Sequence, residues 1–197
     1  MRLTLLLDLD NTLLKNDIDS FLPHYLQAFA RQVAGHIDPD RFIQALLAGT
    51  QAMATNRRPD LTLREAFDAV FFPRLGVDVA TFQHIADDFY ERIFPTLRGL
   101  TQPYPQASAL VEACLERGYR LAVATNPLFP YTAILQRLAW ADLPLENNPF
   151  ELISSYETFH FAKPEPAYFT ELLARMGWPD GPVVVVGDDL ERDVAAS

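Results

Sequence analysis

Short runs of apolar residues, separated by helical patterns, organise the two ends of the chain. The runs lie at 3–7, 119–124, 151–155 and 183–186, the third being the weakest. They have the length of strands that are buried on both faces of a parallel sheet. Between them, apolar residues recur at three- and four-residue steps at 110–114 and 168–176, as in amphipathic helices. Strands that alternate with helices predict an α/β domain with a parallel sheet.

The stretch from 17 to 94 departs from this alternation, because it has several helical patterns and no strand pattern. Four patterns begin near Asp17, Asp38, Leu63 and Phe82. Asp17 and Asp38 are favourable N-caps, and Pro39 suits a first helical turn. Four amphipathic helices predict a small bundle inserted after the first strand.

The insertion divides the chain into two predicted domains, a core of 1–14 plus 100–197 and a helical domain of 15–99. Connectors at 14–16 and 95–105 join them. A pair of connectors is what a hinge between two units needs, so we expect the helical domain to close over one end of the sheet.

Composition and charge narrow the classes of function. With 49% apolar and 21% charged residues, the chain can fill a core. Its 16 basic and 26 acidic side chains give a net charge of −10. This negative charge disfavours binding to a nucleic-acid backbone, which is itself negative. A small phosphorylated molecule stays compatible with an acidic protein, since a metal ion and a few cations can reverse the local charge.

The cellular compartment follows from cysteine usage and hydropathy. Cys114 is the single cysteine, so no intramolecular disulfide can form, and a core position is its simplest explanation. The apolar run at the amino end stops at Asp8, too early for a signal peptide. No run reaches the roughly 18 apolar residues of a membrane span. We expect a cytoplasmic protein without a membrane partner.

Acidic residues follow the first predicted strand. In an extended segment, positions i and i+2 point the same way, so Asp8 and Asp10 of the sequence DLDNT present two carboxylates together. They lie at the carboxyl edge of the predicted sheet, where open α/β sheets bind ligands. Capping or turn aspartates would give the same local pattern.

A second acidic cluster follows the last predicted strand. Gly187-Asp188-Asp189 comes directly after 183–186, and Asp193 lies further along the next helical turn. Two carboxylates about 4 Å apart repel by about 4 kcal/mol at an effective dielectric of about 20, so a cation must lie among them. Carboxylate oxygens together with a substrate phosphate are what Mg²⁺ prefers. A helix N-cap at Asp188-Asp189 is the alternative.

Two further polar segments follow predicted strands. Thr125-Asn126 ends the strand at 119–124, where a hydroxyl and backbone amides could hold phosphate oxygens. Lys163, followed by Pro164, comes after the weak strand at 151–155. Each is a common turn or surface feature alone, but all four segments are expected at the same edge of the sheet.

The order of these segments resembles the haloacid dehalogenase superfamily of phosphatases. DLDNT at 8–12, Thr125 after a strand, Lys163-Pro164 and GDDLERD at 187–193 occur in that family's order and span nearly the whole chain. The resemblance implies a Rossmann-like α/β core with an all-helical cap domain inserted between the first two motifs. It also implies Mg²⁺-dependent hydrolysis of the phosphate monoester of a small metabolite.

The resemblance further implies roles in catalysis. Asp8 would be the nucleophile that becomes an aspartyl phosphate, and Asp10 would be the general acid and then the base, with a raised pKa. Thr125, with Asn126 beside it, would bind the phosphoryl group. Lys163 would neutralise that group and hold Asp8 in line.

The resemblance also implies a set of metal ligands. These are Asp8, the backbone carbonyl of Asp10, and Asp188, with Asp189 or Asp193 acting through water or on the lysine. An acid at position 10 also separates the chain from the dehalogenases of the superfamily, because a departing alkoxide needs a proton and a halide does not.

The motifs leave the substrate and two other functions open. Arg57 and Arg58, in a polar connector between predicted helices, are candidates for holding a second anionic group. A phosphosugar mutase would use the same Asp8 and Asp10. A non-catalytic module that only binds a phosphoryl group is the alternative outside the enzymes.

The carboxyl end of the sequence departs from the resembling proteins. The sequence ends at Ser197, about one helical turn after Asp193, where those proteins continue into a further helix and an edge strand. Either the natural protein is longer, or the sheet lacks that strand; its absence would expose an edge beside 183–186, with reduced stability or association through that edge.

Overall fold

The chain forms an α/β core and a group of helices inserted after its first strand. The computed structural model describes residues 2–143, 145 and 149–197. Along them the strands are β1 (Thr4–Leu7), β2 (Leu14–Lys15), β3 (Gln102–Pro103), β4 (Arg120–Val123), β5 (Leu152–Ile153) and β6 (Val183–Val186). The α-helices are α1 (Ile18–Val33), α2 (Pro39–Ala54), α3 (Leu63–Leu75), α4 (Val79–Asp88), α5 (Pro105–Glu116), α6 (Tyr131–Trp140) and α7 (Pro166–Arg175).

A parallel sheet in the order β5-β4-β1-β6 forms the centre of the core. Strands β1 and β4 are buried almost throughout, because crossover helices cover a parallel sheet on both faces. Leu5 of β1 lies opposite Leu121 of β4 and Val184 of β6. This register brings the segments that follow the three strands to one edge of the sheet. The predicted α/β fold and its four strands are confirmed.

Strand β6 differs from the prediction in its burial. It lies at the edge of the sheet, and Val183 and Val184 are 37% and 43% exposed. A run of valines indicates a strand but not how many neighbours cover it, so the expectation of full burial is wrong here.

Helices α1 to α4 follow β2 and pack around a cluster of aromatic rings. Phe29 of α1 stacks on Phe89 with ring centroids 3.9 Å apart. Phe42, Phe71 and Phe82 join the same cluster from α2, α3 and α4. Each such ring buries a large apolar area, and the cluster continues into the α/β core, where Tyr25 packs against Phe129 with ring centroids 5.4 Å apart.

The ends of these helices show why they form where the sequence predicts. The carboxylates of Asp17 and Asp38 accept hydrogen bonds from backbone N–H groups in the first turns of α1 and α2. Thr62 and Glu65 form a capping box at α3. Such caps satisfy donors that a helix leaves unpaired.

None of the helices in the described ranges has both the length and the hydropathy for crossing a membrane.

The two connectors between core and insertion are more ordered than free linkers. Leu14–Lys15 and Gln102–Pro103 pair with each other as an antiparallel ribbon. The second connector begins as a 3-10 helix, Phe94–Leu100, which follows a π-helical turn at Phe89–Ile93. A helical start to this connector was not predicted, because proline and glycine in its sequence are typical of loops.

A second contact fixes the insertion to the core near the start of α3. The backbone N–H of Leu63 donates to the carbonyl of Phe159 at 2.7 Å. The buried side chain of Asn56 donates to the carbonyl of His160 at 2.8 Å. The inserted helices are therefore attached on two sides, which holds them beside the loops that follow the strands.

Candidate active site

The predicted polar segments line one cavity of about 550 Å³ at the carboxyl edge of the sheet. The predicted residues on its wall are Asp8, Asp10, Thr125, Asn126, Lys163, Asp188, Asp189 and Asp193. They come together because β1, β4 and β6 run parallel in register, so the loops after them share an edge.

Lys163 lies between two carboxylates at the base of this cavity. Its Nζ donates to Oδ1 of Asp8 at 2.9 Å and also to Oδ1 of Asp193. Only 4% of Lys163 and 1% of Asp193 are exposed. A buried charge is tolerated when it is paired and hydrogen-bonded, and here one ammonium serves two acids. The group therefore retains negative charge.

Three carboxylates of the cavity lie close enough together to share a metal ion. Asp8, Asp188 and Asp193 each offer an oxygen, and these oxygens lie within 4.8 Å of one another. Burial raises the pKa of the Asp8 carboxyl from its ordinary 3.8 to about 6; Lys163 opposes this rise, whereas the charge on Asp193 adds to it. Clustered oxygen donors, two of them buried, fit Mg²⁺, whose charge would offset the repulsion between the carboxylates.

Asp189 differs from Asp193 in what its side chain does. Its Oδ1 accepts hydrogen bonds from the backbone N–H groups of Glu191 and Arg192, both at 2.9 Å. These bonds lower the pKa of Asp189 and make it the N-cap of the turn Leu190–Ala195. Asp189 lies on the cavity wall but outside the cluster of Asp8, Asp188 and Asp193, because its Oδ1 caps the helical turn; its predicted role as a metal ligand stays a prediction. Of the two alternatives, Asp193 joins the cluster.

Gly187 is required by the close approach of Asp193. A Cβ at this position would lie in hard contact with the Asp193 carboxylate. A glycine after β6 thus leaves room for the acid that pairs with Lys163.

Asp10 has other partners. The Nδ2 of Asn16 donates to its Oδ1 at 2.7 Å, and the guanidinium of Arg137 pairs with its Oδ2. Arg137 lies on α6, is 1% exposed, and stands 5.1 Å from the centroid of the Phe129 ring. Sequence reasoning missed Arg137 and Asn16. For Arg137, the available signal is a charged residue within the apolar pattern of a helix, next to Leu138.

The segment after β4 is fixed by hydrogen bonds from two side chains. Ser154 Oγ and Tyr168 OH donate to the backbone carbonyl of Thr125 at 2.8 and 2.9 Å. The Oδ1 of Asn126 accepts from the backbone N–H of Lys163 at 3.2 Å. The phosphate-binding candidates and the lysine are thus held together; sequence patterns did not single out Ser154 or Tyr168 for this.

Arg57 and Arg58 do not line the cavity. Arg57 Nε lies 2.5 Å from Oε2 of Glu165, and Arg58 pairs with Asp60 at 2.7 Å. Both arginines are more than half exposed. The structure therefore does not bring these two residues to the catalytic cavity, and their role in holding a second anionic group stays a prediction.

Comparison with curated proteins gives partial matches. A phosphoglycolate phosphatase from Mesorhizobium japonicum is 29% identical over 113 residues, covering 57% of this chain and 48% of that protein. A phosphoglycolate phosphatase from Rhodospirillum rubrum is 37% identical over 95 residues, covering 48% of this chain and 36% of that protein. The chain thus spans about half, or less, of the length of the curated relatives that it matches.

A solved structure and a family model cover far more of the chain. The crystal structure of a HAD phosphatase from Thermococcus onnurineus has 21% identity and a TM-score of 0.54, covering 100% of this chain and 81% of that chain. This shows a shared fold. The family model for a hydrolase, "haloacid dehalogenase-like hydrolase", matches residues 3–197. With that match over nearly its whole length, the chain belongs to the haloacid dehalogenase-like hydrolase family.

Proposed function

We propose that the chain hydrolyses a small-molecule phosphate monoester, with Asp8 as the nucleophile. The observation that supports this best is the contact of Asp8 with Lys163, inside a cavity that also holds Asp188 and Asp193. A carboxylate held by a buried ammonium can attack phosphorus while the same ammonium neutralises the phosphoryl oxygens. The relatives named as phosphatases agree with this chemistry.

The first step would transfer the phosphoryl group to the protein. An oxygen of Asp8 forms a bond to phosphorus as the bond from phosphorus to the alcohol oxygen breaks. Asp10, oriented by Arg137 and Asn16, would take up a proton from solvent before this step and give it to the departing oxygen. Thr125 lies on the same wall, where its hydroxyl would contact the transferred group.

The second step would release phosphate. Asp10, now a carboxylate, takes a proton from a water molecule as the water oxygen attacks the phosphorus of the aspartyl phosphate. The bond from phosphorus to Asp8 breaks, and Asp8 returns as a carboxylate. Lys163 stays hydrogen-bonded to Asp8 and holds its position through both steps.

Mg²⁺ fits the donor set of Asp8, Asp188 and Asp193, with the backbone carbonyl of Asp10 as a further proposed ligand. When bound, it would supply the positive charge that lets a phosphate dianion approach so many carboxylates. The ammonium of Lys163, which contacts Asp8, would also supply positive charge to the incoming phosphate.

The two predicted domains enter the proposal as core and cap. The core would be 1–14 plus 100–197, and the inserted residues 15–99 would form the cap that limits access of water and alcohol to Asp8. Ile18, at the start of α1, lies on the wall of the cavity and supports this arrangement.

The test is phosphate release from a generic aryl phosphate, with Mg²⁺ or with chelator. We expect release that depends on Mg²⁺, that Asp8→Asn abolishes, and that Asp180→Asn, at an exposed position, leaves unchanged. Mass spectrometry of acid-quenched protein should find the phosphate on Asp8. Full activity in Asp8→Asn would overturn the proposal. Binding of a phosphate mimic without turnover would instead favour the module that only binds.

A further inference from the structure

A second cavity, of about 310 Å³, lies between the inserted helices and the core segment around Phe129. Aliphatic and aromatic side chains form most of its wall, among them Leu22, Leu26, Leu46, Met53, Phe67 and Phe72. Its volume is at the lower end of the range for small-molecule sites, about 300 to 1,000 Å³. Open apolar space of this size favours an apolar ligand, because filling it removes hydrocarbon surface from water.

This apolar cavity adjoins the proposed catalytic cavity. Ile18, Leu128 and Phe129 line both of them. A molecule whose phosphate lies at Asp8 could therefore extend its other end past these three side chains. The apolar cavity is thus placed to receive the alcohol part of the ester.

The charges on the wall disfavour an anionic alcohol part. The charged residues that line the apolar cavity are one base, Arg64, and three acids, Asp68, Asp87 and Glu157. The Nε of Arg64 already lies 3.7 Å from Oδ2 of Asp68. A carboxylate or a second phosphate in this cavity would meet a net negative wall.

The cations of the two cavities are already engaged. Among the described residues, each cation that lines either cavity lies within ion-pair distance of a carboxylate. The pairs are Arg64–Asp68, Arg137–Asp10, Lys163–Asp8 and Arg192–Asp189. A second anionic group on the substrate would compete with these carboxylates for the cations, whereas an apolar alcohol would not.

From these observations we infer that the preferred substrates are phosphate monoesters of apolar alcohols, with an alkyl or aryl group that fills the cavity between the inserted helices and Phe129. This inference rests on the proposed phosphatase activity at Asp8 and adds the class of its substrate. It differs from what the names of the curated relatives say of those proteins, since glycolate is a small alcohol with a carboxylate.

The test is kcat/KM for ethyl, butyl, hexyl and octyl phosphate and for 2-phosphoglycolate. Burying one methylene is worth about 0.8 kcal/mol, so kcat/KM should rise about fourfold per added methylene until the cavity is full. 2-Phosphoglycolate should fall below ethyl phosphate. Hydrolysis with no dependence on chain length, or with 2-phosphoglycolate preferred, would overturn the inference and leave the phosphatase proposal standing.

A matched pair of variants tests whether the dependence of kcat/KM on alkyl chain length arises from this cavity. Leu47 lines it and is 47% exposed, whereas Leu110 lies on α5, outside its wall, and is 44% exposed. Leu47→Asp should flatten the rise in kcat/KM with chain length to less than about twofold per methylene. Leu110→Asp should keep the full rise. Equal effects of the two variants would contradict the assignment of the cavity, and Leu26→Asn provides a second position on its wall.

Binding of alkylphosphonates separates the inference from the proposed activity. Their phosphorus–carbon bond is not hydrolysed at such a site, so titration of ethyl-, butyl- and hexylphosphonate reports chain-length dependence without turnover. If no ester is hydrolysed but affinity rises with chain length, the phosphatase proposal fails and the apolar ligand class stands. If affinity does not change with the chain length of the phosphonate, the inferred class of apolar substrates is wrong, whether or not the protein hydrolyses phosphate esters.

Discussion

The guanidinium of Arg137 pairs with the carboxylate of Asp10, although these residues lie on different elements of the core and the arginine is 1% exposed. A guanidinium enclosed by protein needs an anion, because an unpaired buried charge is costly. Arg137 therefore fixes the direction of the residue that we propose as general acid and base. Asn16, from the connector to the inserted helices, holds the other oxygen.

Arg137→Met is expected to lower both stability and activity. Breaking a fully buried pair costs about 3 to 5 kcal/mol, and we expect about 2 kcal/mol because Asp10 is 25% exposed. Loss of a positioned acid should lower kcat by about 100-fold. Urea unfolding and aryl phosphate turnover measure the two effects.

The control for Arg137 is an ion pair at the surface. Arg98 and Asp142 lie 3.0 Å apart and are 58% and 59% exposed. Arg98→Met should change the free energy of unfolding by less than about 0.5 kcal/mol and leave turnover intact. If both variants behave alike, the Arg137 pair has no special part in holding Asp10.

Asp8→Asn is expected to stabilise the metal-free protein at neutral pH. The pKa of Asp8 is about 6 in the folded protein against an ordinary 3.8, so folding favours its protonated form. The cost of the native carboxylate is absent below the ordinary pKa, grows as pH rises toward the folded value, and is fully present above it. The shift corresponds to at most about 3 kcal/mol.

Urea unfolding in chelator at a series of pH values checks this prediction. We expect Asp8→Asn to gain about 1 to 3 kcal/mol at about pH 7 and nothing near the ordinary pKa of an aspartate. Asp180→Asn, at an exposed position, should show no such dependence. A variant at Asp8 that is less stable at neutral pH would contradict the expected direction.

Substitutions at two adjacent aspartates should have different effects on metal affinity. Asp188 belongs to the cluster with Asp8 and Asp193, whereas Asp189 caps the next helical turn. We expect Asp188→Asn to weaken Mg²⁺ binding at least about tenfold, through loss of a charged oxygen ligand. Asp189→Asn should change affinity by less than about threefold, because asparagine is an equally good cap. Calorimetric titration with Mg²⁺ measures both; the reverse order would assign the ligand to Asp189.

Gly187→Ala should disrupt the site by displacing one side chain. The new Cβ would contact the Asp193 carboxylate, which pairs with Lys163. Displacements of about 1 Å in a catalytic group can cost about 100-fold in rate, and we expect a loss of that order in kcat. Gly35→Ala, where a Cβ would meet nothing within 4 Å, is the matched control. Equal activity in the two variants would mean that the Asp193 position is not needed.

Local sequence pattern was enough to predict most of the fold. The four strands of the parallel sheet and the N-caps at Asp17 and Asp38 depend on residues that are close in the chain, so periodicity and capping chemistry identify them, whereas the short strands β2 and β3 were not predicted. Helix α6 was not predicted, nor was the 3-10 helix Phe94–Leu100, because prolines and glycine near them are typical of loops.

The sequence by itself determined where the acidic and polar residues gather, because parallel strands place their carboxyl ends at one edge. Only the tertiary structure decided which side chains meet there. Asp193 rather than Asp189 joins Asp8, Arg137 reaches Asp10 from a separate helix, and Arg57 pairs at the surface. The first two follow from burial, because an enclosed charge such as Asp193 or Arg137 needs a partner wherever packing places one, and neither periodicity nor spacing along the chain specifies that distance.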